Sequence, residues 1–298
     1  MALLVVAIHV GRVPIYAPLG RLAAPTFWLY SAYFFFQHQS NIKNFCLRIF
    51  KLWFAWNLLY LPLTIRQDWH YVKSGGKFLT LFLKILLQGF GVAFFPGWYL
   101  LATIYGLIFI VIALRYVNLK TIIALGIVIE VSFSVIELIK RHDFTLTDSF
   151  LRAILFLALG AYFASGNHLA AAKQSWKINL FSITLLCLIL TQHFILNTNT
   201  VYGLAAIGSV LLLVLTLPLK LKLKHSYALR DLSVFIYCSH ILWLSVFRYF
   251  LKIYHLNLMN GRTRLLSYFI IITSLSLIGL IIIKLKVYRP FKWLNVFF

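Results

Sequence analysis

The chain has 298 residues, of which 62% are hydrophobic and only 11% charged, with a mean hydropathy of +0.91. An ordinary globular domain carries roughly 25% charged residues, so this composition excludes a soluble protein and predicts an all-α integral membrane protein. The formal charge of +22 would suggest a nucleic-acid partner on a soluble chain, but here Lys and Arg are scattered between apolar runs with no nucleic-acid-binding signature, and the charge reads as cationic loops beside anionic lipid.

One helical span needs about 20 apolar residues, and dividing the chain this way predicts about ten spans. The first run, "MALLVVAIHV", covers residues 1–10. It is half the length of a span and reads as the second half of one whose earlier half lies upstream. It has no basic n-region or small-residue cleavage site, so no signal peptide is expected. Near its end stands His9. A histidine inside a span costs free energy unless it faces protein or water, which makes it a functional candidate. Its ordinary pKa of about 6.5 suits proton transfer near neutral pH. The plain alternative is a helix-end histidine touching headgroups.

The next run, about 19–36, contains "GRLAAPTFWLYSAYFFFQ", where Pro25, Ser31 and Ala32 permit a kink and close helix approach. The run at about 48–65 opens with Arg48 and Lys51, three residues apart and so on one helix face. They are either a positive-inside stop or a cationic clamp for phosphate groups. Residues 79–95 are apolar but carry Lys84, Gln88 and two glycines before Pro96, which predicts an interfacial or re-entrant helix.

Further spans are expected at about 97–114, 119–137, 149–165, 178–195, 200–218, 230–250 and 266–285. With the first run counted, both termini fall on one side. The loops on that side carry slightly more than half of the basic residues, while Asp68, Glu137, Asp143 and Asp148 sit on or at the boundary of the other. This places the N- and C-termini in the cytoplasm of a multi-pass cell-membrane protein. Cys46, Cys187 and Cys238 are far apart and odd in number, so free thiols are expected, with no disulfide framework and no metal-ligand spacing. No fixed-period repeat or long linker occurs, and residues 1–298 read as a single membrane-embedded domain without a soluble appendage.

Six stretches, taken in order, resemble the acyltransferase-3 family of membrane acyltransferases. "ALLVVAIHV" is similar to the family's first span with its terminal histidine. "PTFWLYSAYFFF" resembles the second, with Ser31, Ala32 and Tyr33 at its Ser-Gly-Tyr core. "RIFKLWFAWNLLYL" matches the basic pair that opens the third. "GWYLLATIYGLI" looks like the Leu-Trp-Phe-Leu element, "FLRAILFLALGAYFA" like the Phe-rich span ending in Gly160, and "RDLSVFIYCSHILWL" like the stretch that places Tyr237 and His240. The pattern departs at Ala32, where a glycine is usual, at Pro96, where many members have histidine, and at Lys51, where arginine is common. The arginine usually found about eleven residues before the first-span histidine would precede Met1.

The resemblance implies transfer of an acyl group, commonly acetyl, from acyl-CoA to hydroxyls of a cell-surface or exported polysaccharide or its precursor. It implies His9 as the catalytic histidine, as base or nucleophile, and Arg48 with Lys51 as contacts for the acyl-CoA donor. Ser31, Tyr33, Trp98, Tyr237 and His240 become candidates for lining the site. Acyl-CoA is then a donor substrate, with no resident cofactor or metal expected; the glycan acceptor and membrane lipid are the other partners, and the sequence leaves the oligomeric state open. Two other readings stand beside it: a transporter of polysaccharide or lipid-linked glycan, against which the lack of repeats counts, and an inactive, truncated member of the family.

Overall fold

A computed structural model of the chain describes residues 2–11, 20, 22–73, 97–140, 150–166, 179–185, 187, 202–216, 225–256 and 263–298. The regular elements among them are all helical: α1 (Ala2–Gly11), α2 (Ala23–Gln37), α3 (Ile42–Lys73), α4 (Gly97–Ala113), α5 (Leu119–Lys140), α6 (Phe150–Ser165), α7 (Tyr202–Thr216), α8 (Ser226–Ile253), α9 (Arg264–Leu285) and a C-terminal 3-10 helix, Arg289–Phe297. Three described segments are long and apolar enough to cross a membrane by themselves: Leu119–Ile136, Ser226–Ile253 and Arg264–Leu285. Gly97–Ala113, Phe150–Ser165 and Ile207–Thr216 are apolar but shorter. The stretch at 79–95 lies outside the described residues, and of that at 178–195 only 179–185 and 187 are described, as helix.

Local chemistry sets the boundaries. α3 starts six residues before the apolar run because the Asn41 side chain accepts the Asn44 backbone N–H at 3.3 Å and so satisfies one of the orphan donors of a helix start. Asn118 does the same for α5, accepting from Thr121 N–H at 2.9 Å. α3 also runs through Pro62, which removes one ladder bond and favours a bend.

The bundle is organised on α6, which packs against α2, α4 and α5, and its residues Ala153 to Ala158 are all buried. Apolar surface gains little by leaving lipid, so helices in membranes associate through close van der Waals packing at small residues. Gly160 lets the α2 backbone at Leu29 and Ala32 come close, Gly106 of α4 lies against Leu157, and Gly126 of α5 lies against Leu155. α8 pairs with α9 around Gly279, which meets Leu232 and Phe235. α1 lies against both α8 and α9. The outer faces stay apolar, as Ile127, Val128 and Val131 on α5 and Leu277 and Ile281 on α9 illustrate.

One end of the bundle gathers cations. Phe35 of α2 meets Phe45 of α3 there, with ring centroids 5.1 Å apart. Trp56 of α3 meets Phe235 of α8 at 5.8 Å, and its indole N–H donates to the Phe297 carbonyl at 3.4 Å. Asp231 is paired with Arg230 and Lys286, and the Lys286 ammonium lies 4.2 Å from the Phe298 ring centroid. Lys43, Arg48, Lys51, Lys284, Arg289 and Lys292 belong to the same helix ends and to the C-terminal segment.

Candidate active site

His240 stands at the middle of α8, 14 residues from its first residue and 13 from its last, so about 20 Å from either end at 1.5 Å per residue. It is 1% exposed. Its Nδ1 is 2.6 Å from the Tyr237 carbonyl oxygen. A carbonyl only accepts, so Nδ1 carries the hydrogen and Nε2 presents a lone pair; this buried Nε2 has no hydrogen-bond partner among the described residues.

The ring of His9 lies beside it, with centroids 5.0 Å apart and planes inclined by 42°. Two bonds fix α1 in that place. The Arg248 guanidinium of α8 donates to the His9 carbonyl at 3.2 Å, and the Tyr268 hydroxyl of α9 donates to the Leu3 carbonyl at 3.1 Å. The histidine at the end of the short first run is therefore half-buried between helices instead of lying on the outer face of the bundle.

An aromatic wall backs the pair. Tyr237 is 5.4 Å from Tyr99 and 5.6 Å from Phe27, and Trp28 stacks on Tyr99 at 5.6 Å. Ser31 reaches the Tyr99 side chain by a hydrogen bond, and Trp98 meets Trp28 edge-on at 5.3 Å. Tyr33 is placed elsewhere: it lies where α2 crosses Gly160, with its ring against Phe34 at 5.3 Å. Chemically, the centre offers two imidazoles in a wall of low polarity, where proton transfer and electrostatic contacts are stronger than in water.

The sequence model of the acyltransferase-3 family, an acyltransferase domain, matches residues 1–284. The chain belongs to the acyltransferase-3 family. No curated protein and no solved structure matches it. Family and apolar helices together make it a membrane acyltransferase.

In this acyltransferase Arg48 and Lys51 are exposed on α3, and Arg48 lies over the Phe45 ring at 5.5 Å. They precede Tyr60, which touches α8 beside His240, by 12 and 9 residues, or about 18 and 14 Å along the helix. The structure thus brings His9, His240, Tyr237 and the Ser31–Tyr99 contact together, and keeps the basic pair at the cationic end. Pro96 lies outside the described residues.

Three features of the acyltransferase escaped the sequence reading. Tyr99 joins α2, α4 and α8 in the aromatic wall. The Tyr60 hydroxyl donates to the Cys238 carbonyl at 2.9 Å and accepts from the Leu242 N–H at 2.9 Å. Arg152 of α6 pairs with Glu130 of α5 at 3.1 Å, both within a few per cent of full burial. The last was detectable: an acidic residue in the middle of one apolar run, Glu130, and a basic residue inside another, Arg152, suggest a partnered intramembrane pair.

Proposed function

We propose that this membrane acyltransferase moves an acyl group, acetyl in the simplest case, from acyl-CoA to a hydroxyl of a cell-surface or exported polysaccharide or its precursor. The observation that carries the reading is the placement of His9 against His240 at the buried centre of a bundle whose one end is densely cationic. His9 takes the proton of the acceptor hydroxyl as its oxygen attacks the thioester carbonyl carbon. The carbon–sulfur bond then breaks, and the sulfur leaves as the CoA thiol after taking up that proton. His9 can also act first as nucleophile, carrying the acyl group before the hydroxyl receives it.

The cationic end suits the CoA phosphates, which Arg binds as a planar fork and Lys as a point charge. Acyl-CoA is a cytoplasmic metabolite, so this end is assigned to the cytoplasm of the cell membrane, in agreement with the positive-inside rule. In a ten-span, multi-pass path both termini lie on that side, and the glycan reaches the histidines from the opposite side. The test is acyl analysis of surface glycan in cells carrying wild type or His9→Ala. Loss of the acyl group in the variant is expected; undiminished acylation at normal protein level would overturn the role of His9.

A further inference from the structure

We infer that His240 is a positioning residue for His9: its Nε2 receives the ring N–H of His9, and Tyr60 holds the α8 turn that aims it. The inference rests on the reading above, in which His9 is the group that takes the proton.

A neutral imidazole donates through one nitrogen and accepts through the other. To use one nitrogen on a hydroxyl, His9 needs its other N–H held by an acceptor, a task usually done by a carboxylate. The two described acidic side chains are committed elsewhere, Glu130 to Arg152 and Asp231 to Arg230 and Lys286. His240 has the needed acceptor. Its Nδ1 is locked on the Tyr237 carbonyl, so its Nε2 lone pair is available in a place where an unmet polar atom is costly, and His9 is the neighbouring ring at 5.0 Å. A rotation of the half-buried His9 ring closes the bond, as catalytic contacts commonly tighten when substrate binds. When His9 becomes cationic, the same bond holds the imidazolium without a buried anion.

Tyr60 explains why His240 is fixed so firmly. In an unbroken α-helix the Leu242 N–H bonds the Cys238 carbonyl. Here the Tyr60 hydroxyl donates to that carbonyl and accepts from that N–H, so one side chain of α3 holds both polar groups of this turn of α8. His240 lies between these two residues. Ser239 bonds the Phe235 carbonyl at 2.6 Å on the same turn. α3, which carries the basic pair, thereby sets the orientation of a histidine on α8.

A purely structural role for His240 would require only the bond to Tyr237, which His240→Asn can keep while placing nothing at Nε2. His240→Gln instead puts an oxygen acceptor near Nε2. With purified protein in detergent and acetyl-CoA as donor, the positioning role predicts that Asn lowers kcat by about 100-fold with KM for acetyl-CoA changed less than about twofold. Gln should restore roughly tenfold over Asn. An Asn variant as active as wild type, or a Gln variant no better than Asn, overturns the inference. A second readout needs no turnover: in protein saturated with CoA, the state in which the bond is closed, the 15N shifts of the His9 ring should change tautomer pattern in His240→Asn and, for a variant that keeps both histidines, in Tyr60→Phe. Unchanged shifts overturn it. Wild-type protein that transfers nothing from acyl-CoA would instead sink the proposed function, while the 15N comparison still decides on the pair.

Discussion

Arg152 and Glu130 sit 3.1 Å apart between α6 and α5, with the guanidinium also 5.8 Å from the Phe133 ring centroid. Removing one member of such a buried pair leaves an uncompensated charge, which costs about 3–5 kcal/mol, whereas replacing both by apolar residues is often near neutral. Arg152→Leu should therefore lower the thermal midpoint in detergent sharply, and Arg152→Leu with Glu130→Leu should recover most of the loss. Equal destabilisation by the single and double variants would argue against a simple ion pair. At this scale the sequence disclosed residues whose type is unusual for a span, such as His9, and a spacing that placed His240 by resemblance. Tyr60 and Tyr99 were hidden, because an aromatic residue in an apolar run has the same signature whether it packs or directs a hydrogen bond into another helix.

Small residues decide how the elements meet. A Cβ at Gly160 would fall 2.8 Å from Ala32 Cβ and closer still to the Leu29 carbonyl. Gly to Ala inside a helix is ordinarily favourable by roughly 1 kcal/mol, but overpacking costs about 1–3 kcal/mol, and here the obstacle is backbone, which cannot rotate away. Gly160→Ala should thus lower both the thermal midpoint and the acyl-transfer rate, since α2 carries Phe27 and Trp28 of the aromatic wall; a stabilised, fully active variant would refute the crossing. Helix positions were legible where hydropathy and helix coincide, as in α4, predicted at about 97–114 and found at Gly97–Ala113. α3 is the exception. Its first turns, Ile42 to Leu47, include Lys43 and Asn44, so hydropathy misses them while the Asn41 cap starts the helix. The C-terminal 3-10 helix was not foreseen either, because what holds it is tertiary: Trp56 bonds the Phe297 carbonyl.

Composition alone identified an all-helical membrane protein, since a charge content of 11% leaves no polar coat for a soluble domain. The number of spans is less legible, because several apolar helices are shorter than one bilayer thickness and their tilt and pairing depend on neighbours. The cationic end gives a prediction for the whole molecule. If Arg48 and Lys51 bind the donor phosphates, Arg48→Ala with Lys51→Ala should raise KM for acetyl-CoA several-fold with little change in kcat. Added salt should raise the wild-type KM as well, because exposed charges are screened within about 8–10 Å at physiological ionic strength. A fall in kcat at constant KM would move the pair out of donor binding. Acyl transfer through His9 is read out by label transfer from acetyl-CoA to a glycan acceptor by detergent-purified protein. Wild type should transfer label, and His9→Ala, with an unchanged thermal midpoint, should be slower by about 100-fold or more. Equal rates for the two proteins, or glycan carried across proteoliposomes without any transfer, would contradict it.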